Sequence, residues 1–126
     1  MICLDTDYLI LGLVADSAEA DDLIAWGEAG QSFCAPSVAW YEFLCGPVGS
    51  TQVSTMRAVV QSILPFGLEQ AREAARLFNG SGRMRRLRVD AMIAASAITH
   101  SVPLATSSTH DFAAFVPLGL RLVNRP

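Results

Sequence analysis

Short apolar segments alternate with helical patterns along the whole chain, and this alternation leaves few folds open. Strands separated by helices pair in parallel, so the pattern predicts an α/β domain with a mostly parallel sheet flanked by helices. Ile2–Asp5 reads as the first strand, followed by a helix over about residues 6–14. Asp16-x-x-Glu19 resembles a capping box and opens a second helix that runs to Gly30. Ser32–Ala35 reads as the second strand. Pro36 then suits the first turn of a helix that Gly46-Pro47 ends. Helical stretches over 51–63 and 68–78 come next, the latter stopped by Asn79-Gly80. Gly80-Ser81-Gly82 and the arginines after it form a loop. Val89–Thr99 is almost wholly apolar and Ala-rich, which predicts a helix buried on most sides. Pro103–Thr106 reads as a strand, Ser108–Phe115 as a short helix and Gly119–Val123 as a final strand.

The 126 residues fit one domain over 1–126, and a 52% hydrophobic content supports a sizeable core and excludes disorder. No apolar run reaches the length of a membrane span, so no membrane partner is expected. The start, Met1-Ile2-Cys3-Leu4-Asp5, lacks the basic segment and cleavage site of a signal peptide, which points to the cytoplasm. Cys3, Cys34 and Cys45 are odd in number and lack CxxC spacing, so neither a disulfide framework nor a zinc site is expected. Cys3 and Cys34 fall in strands, where a reduced thiol behaves as a small hydrophobe.

Four acids stand where apolar runs meet a turn or helix: Asp5, Glu42, Asp90 and Asp111. A carboxylate embedded in apolar sequence costs desolvation unless something pairs with it. In open α/β sheets, sites lie outside the carboxyl ends of the strands. Asp5 ends the first strand, and Asp111 lies just beyond the strand that ends at Thr106. Asp90, in a first helical turn, has Ile93 and Ala94 on its own face and so points inward. Glu42 has Val38, Ala39, Cys45 and Gly46 as wheel neighbours. If gathered, these acids could not all stay ionised unaided: two carboxylates about 4 Å apart repel by roughly 4 kcal/mol at an effective dielectric near 20. Either some are protonated or a hard cation neutralises them, and oxygen-only ligands select Mg²⁺ or Mn²⁺. Each acid also has a plainer role open to it. Asp5 suits an N-cap, Asp90 a dipole-favoured first turn and Glu42 an exposed helix face, while Ser108-x-x-Asp111 has capping-box spacing. Asp7 reads as first-turn charge only.

The net charge of −3 conceals an asymmetry. Residues 1–50 carry eight acidic groups and no basic one; the remainder carries all nine basic groups, every one of them Arg. Arg83, Arg85, Arg86 and Arg88 fall just before Asp90. Arginine makes planar, bidentate contacts with phosphate, so the cluster hints at nucleic acid, although on the cluster alone a solvated loop that balances the acidic half is the favoured reading. Without a lysine, Gly80-Ser81-Gly82 is not a phosphate loop, and Ser108, His110 and Asp111 are too crowded for a hydrolytic triad. Trp26 and Trp40 have apolar neighbours, so core or dimer packing is expected of them before base stacking.

Four segments, in order, resemble the motifs of PIN-domain ribonucleases, in particular the VapC-type toxins of bacterial toxin–antitoxin pairs. They are Leu4-Asp5-Thr6; the helical Ser37–Gly46 with Glu42; Val89-Asp90-Ala91-Met92-Ile93-Ala94-Ala95; and Thr106-Ser107-Ser108-Thr109-His110-Asp111-Phe112. The resemblance covers the whole chain. It implies a three-layer α/β/α fold, Mg²⁺-dependent (or Mn²⁺-dependent) cleavage of RNA, a homodimer and a cognate antitoxin. It further implies that Asp5 and Asp90 are the principal metal ligands, that Glu42 and Asp111 complete the acidic site, and that Thr6 and Thr106 hydrogen-bond the carboxylates. Ser108 stands where many relatives carry Asn or Asp, which weakens the expectation of a second metal. The arginine cluster would then grip the RNA backbone. The other readings left open are a non-catalytic PIN-like module that binds RNA or protein, and a housekeeping RNA-processing nuclease.

Overall fold

The computed structural model describes residues 1–126. Four short parallel strands form the central sheet: β1 (Ile2–Leu4), β2 (Phe33–Pro36), β3 (Val60–Leu64) and β4 (Leu104–Ala105), in the order β3-β2-β1-β4. Every residue of β1, β2 and β4 is buried. That is the condition of a parallel sheet covered on both faces, and it explains why these strands read as unbroken apolar runs. Cys3 and Cys34 are register partners in adjacent strands, fully buried and reduced, as their setting predicts.

Seven helices cover the sheet: α1 (Thr6–Leu11), α2 (Ala18–Glu28), α3 (Ser37–Cys45), α4 (Ser50–Val59), α5 (Leu68–Gly80), α6 (Arg88–Thr99) and α7 (Thr109–Phe112). Short 3-10 turns span Arg85–Leu87 and Ala113–Leu118. Ala91, Ile93, Ala94, Ala95, Ser96 and Ala97 of α6 are all buried. Small side chains at these positions let the helix lie close against its neighbours, which is why an Ala-rich segment occupies the centre of the molecule.

The sheet order fixes where a site can form. The chain leaves β1 toward β2 and β3 on one side, and β4 is added on the other. The order therefore reverses between β1 and β4, and the crevice beyond the carboxyl ends of such a pair is where open parallel sheets bind ligands. Asp5 and Thr106 are the first residues past those two strands.

Several boundaries differ from the sequence reading. The helix expected over 51–63 ends at Val59, and Val60–Leu64 is a strand paired to β2. The 3.6-residue pattern continues through this segment, but the open edge of β2 offers ladder hydrogen bonds, and Val60 and Leu64 are buried as strand residues. The first helix stops at Leu11 rather than near Val14. Gly12 follows because a Cβ there would lie 2.3 Å from the Tyr8 carbonyl and 2.5 Å from Leu23 Cδ1. The capping box at Asp16 does not form: Ser17 is the N-cap, its Oγ accepting the Ala20 N–H at 2.9 Å. Pro36 closes β2 instead of opening the helix proper. The final strand reduces to one bridge between Leu104 and Leu122.

Candidate active site

Asp5 is 5% exposed, directly after β1. Its Oδ1 accepts the Thr6 N–H at 2.7 Å, and its Oδ2 accepts the Thr106 hydroxyl at 2.7 Å. It therefore does cap α1, as its plainer reading supposed, while its second oxygen is held from across the sheet. Thr6 reaches the other way and donates its hydroxyl to Glu42 Oε1 at 2.7 Å. One turn after β1 thus anchors two of the four expected acids. The Thr106 hydroxyl in turn accepts the Ser108 N–H at 2.9 Å, which fixes the direction of its own proton toward the carboxylate.

Electrostatics place Asp90 and Asp111 in the same neighbourhood. Burial, then the charge of Asp7, and to a smaller degree that of Asp90, push the Asp5 carboxyl up to about 7. Burial, then the charges of Asp111 and Glu42, push Asp90 up to about 6, while Arg86 acts against the shift. The charge of Asp90 thus interacts with those of Asp5, Glu42 and Asp111. Asp111 is not part of a capping box, because the Ser108 side chain caps nothing at α7. Asp111 instead forms an ion pair with Arg86, Nη1 to Oδ1. No three His, Cys, Asp or Glu side chains lie close enough together to hold a metal ion between them. Mg²⁺ usually keeps several waters and takes only one or two carboxylates, so it does not need a third. The all-oxygen donor set fits it as well.

Asp7 was missed as a site residue. It is half-buried, its Oδ2 accepts the Ser107 N–H at 2.9 Å, and its Oδ1 is buried with no hydrogen-bond partner. Burial foremost holds its carboxyl above the ordinary range. The available signal was the Asp5-Thr6-Asp7 triplet at the end of a strand. Glu19 was missed too: it is buried and accepts the Ser107 hydroxyl at 2.7 Å. Nothing local could have revealed a contact between residues 88 positions apart. Ser108 Oγ lies 3.5 Å from Asp7 Oδ2.

The four arginines do not act alike. Arg83 and Arg88 flank the Phe78 ring, 5.3 Å and 5.6 Å from its centroid, and Arg83 also bonds Asn79. Arg86 is taken up by Asp111. Arg85 is exposed and has no hydrogen-bond or ion-pair partner. A groove between α3 and α6 is lined by Ser37, Val38, Tyr41, Glu42, Val89 and Met92.

A small α/β domain with an acidic site at the switch point of a parallel sheet is the class that these features define. The PIN-domain family model matches residues 2–115, and the chain belongs to that family. PIN-domain toxins are generally nucleases. No curated protein matches the sequence. Among solved structures, VapBC2 from Rickettsia felis, bound to a DNA fragment from their promoter, superposes with a TM-score of 0.77 at 17% identity, over 100% of both chains. A toxin–antitoxin complex from Klebsiella pneumoniae gives 0.71 at 23% identity, over 90% of this chain and 91% of the other. VapBC-5 from Mycobacterium tuberculosis, of the VapBC family of toxin–antitoxin systems, gives 0.59 at 25% identity, over 96% and 97%. These likenesses support the α/β/α architecture expected of the sequence. No helix is long and apolar enough to cross a membrane.

Proposed function

We propose that this protein is a divalent-metal-dependent endoribonuclease and the toxin of a toxin–antitoxin pair. What supports the reading is that Thr106 and Thr6, at the ends of β4 and β1, hold Asp5 and Glu42, and that the charge of Asp90 interacts with those of Asp5, Glu42 and Asp111. Asp5 and Asp90 would hold Mg²⁺, with Mn²⁺ a substitute. When bound, the cation would supply a water of lowered pKa and stabilise charge building on the phosphate. Thr106 keeps Asp5 aimed into the crevice, and Thr6 does the same for Glu42. Asp111 would orient a water beside the reacting phosphate. Arg83, Arg85, Arg86 and Arg88 would add affinity for the RNA backbone rather than sequence choice.

The partners follow from surfaces that the fold leaves open. Ile10 (50% exposed), Val14 (49%) and Ile24 (60%) present large apolar side chains on α1, the turn after it and α2. Clustered exposure of this kind marks a protein contact, and it suits the apolar segment of a cognate antitoxin. Tyr41, Leu44 and Val89 form a second exposed set on α3 and α6, suited to a homodimer. The test is incubation of the purified chain with total bacterial RNA. Discrete cleavage products that need Mg²⁺ and vanish with a chelator are expected. Intact RNA across a metal series would sink the nuclease reading and leave a binding module.

A further inference from the structure

Arg86 is the one cation that touches the acidic site. Its guanidinium pairs with Asp111, and its charge also opposes the upward shift of Asp90. The other three arginines of the cluster lie elsewhere: Arg83 and Arg88 on Phe78, Arg85 in solvent. Asp111 has little freedom to seek another partner. It belongs to a four-residue helix pinned by Phe112, which is fully buried, and by the Phe112 N–H to Ser108 carbonyl bond of 3.2 Å. Arg86, by contrast, is 53% exposed on a 3-10 turn and can swing away without disturbing the core.

Resting on the metal-dependent reading above, we propose that Arg86 is a built-in counter-cation that competes with the divalent ion for Asp111. While the ion pair stands, Asp111 is neutralised, and Asp5 and Asp90 would hold the ion without it. When Arg86 turns outward, toward a phosphate for example, Asp111 becomes available to the ion. A guanidinium and a divalent cation both seek the carboxylate oxygens, and like charges at one carboxylate exclude each other.

Mn²⁺ binding, followed by electron paramagnetic resonance of the free ion, tests this on the 126-residue chain without RNA. Four proteins are compared: wild type, Arg86→Gln, Asp111→Asn and the double variant, each checked for folding by circular dichroism. Arg86→Gln is expected to bind Mn²⁺ up to roughly fivefold more tightly, the scale of a half-exposed ion pair. In the Asp111→Asn background the same substitution should yield a clearly smaller gain, because the competed oxygens are gone. An equal gain in both backgrounds would make Arg86 a diffuse charge and overturn the competition. No gain in a wild type that does bind Mn²⁺ would overturn it too, and leave the metal site standing. Absence of Mn²⁺ binding in all four proteins would remove the metal site itself, and this inference with it.

Discussion

Thr106 donates its hydroxyl to Asp5 Oδ2 at 2.7 Å and so joins the ends of β4 and β1 across 101 positions of sequence. The bond stabilises the ionised form of a carboxylate that burial otherwise holds near neutrality. Thr106→Val keeps the shape and removes the bond. We expect it to cost about 1–3 kcal/mol in folding stability, because the Ser108 N–H loses its acceptor as well. Mg²⁺ binding at pH 7 should weaken by up to roughly tenfold for each unit by which Asp5 rises, and should recover near pH 9. Isothermal titration at the two pH values reads this. A loss that does not recover at high pH would assign Thr106 a purely structural role.

Without metal, the acidic site makes stability depend on pH in an unusual direction. Asp5 near 7 and Asp90 near 6 are both raised, so the folded chain binds protons more readily than the unfolded one. Stability is therefore lowest above about pH 8 and rises as pH falls through 7 and 6. The urea midpoint of the metal-free protein should be higher at pH 5.5 than at pH 8. Saturating Mg²⁺ should reverse that order, since the ionised carboxylates are the ones it binds. A metal-free midpoint that falls between pH 8 and 5.5 would contradict the crowding of these acids.

Metal binding should also raise the melting temperature at pH 8, because only the native state gathers the carboxylates. Asp90→Asn is expected to melt at least as high as wild type without metal, as it removes a repelling charge, yet to lose most of the Mg²⁺ gain. An unchanged melting temperature across a metal titration of wild type would count against the site.

RNA affinity should fall as salt rises. Each arginine that contacts a phosphate contributes about −0.7 to the slope of log affinity against log salt on single strands. Replacing Arg85 and Arg86 together should flatten the slope measurably, whereas Arg83 and Arg88 are expected to contribute less because they sit on Phe78. A slope identical to wild type after the double replacement would return the cluster to a solvated loop.

Much of this was legible beforehand, for definite reasons. The apolar runs of β1 and β2 and the Ala-rich α6 carry their burial in their composition, and Asp5, Glu42, Asp90 and Asp111 sit at the ends or faces of such runs. What was illegible depends on contacts distant in sequence. Val60–Leu64 becomes a strand only because β2 has an edge to fill. Asp7 looks like a first-turn charge and Glu19 like half of a capping box until Ser107 arrives from the far end of the chain. Arg86 and Asp111, 25 positions apart, form a pair that no helical spacing predicts. Local pattern sets the elements and the candidate acids, whereas the loop after β4 decides how those acids are held.

The most direct test of the account is RNA cleavage by Asp5→Ala in Mg²⁺, with growth after expression as the cellular counterpart. Burial raises the Asp5 carboxyl, so removing it relieves a strained charge, while the backbone there stays fixed by the Asp5 N–H to Ala105 carbonyl bond of 3.0 Å. Circular dichroism and a thermal melt should show a folded variant. The account predicts that this folded protein neither cleaves RNA nor arrests bacterial growth, whereas wild type does both. A folded Asp5→Ala that cleaves RNA as fast as wild type would contradict the assignment of the activity to this site.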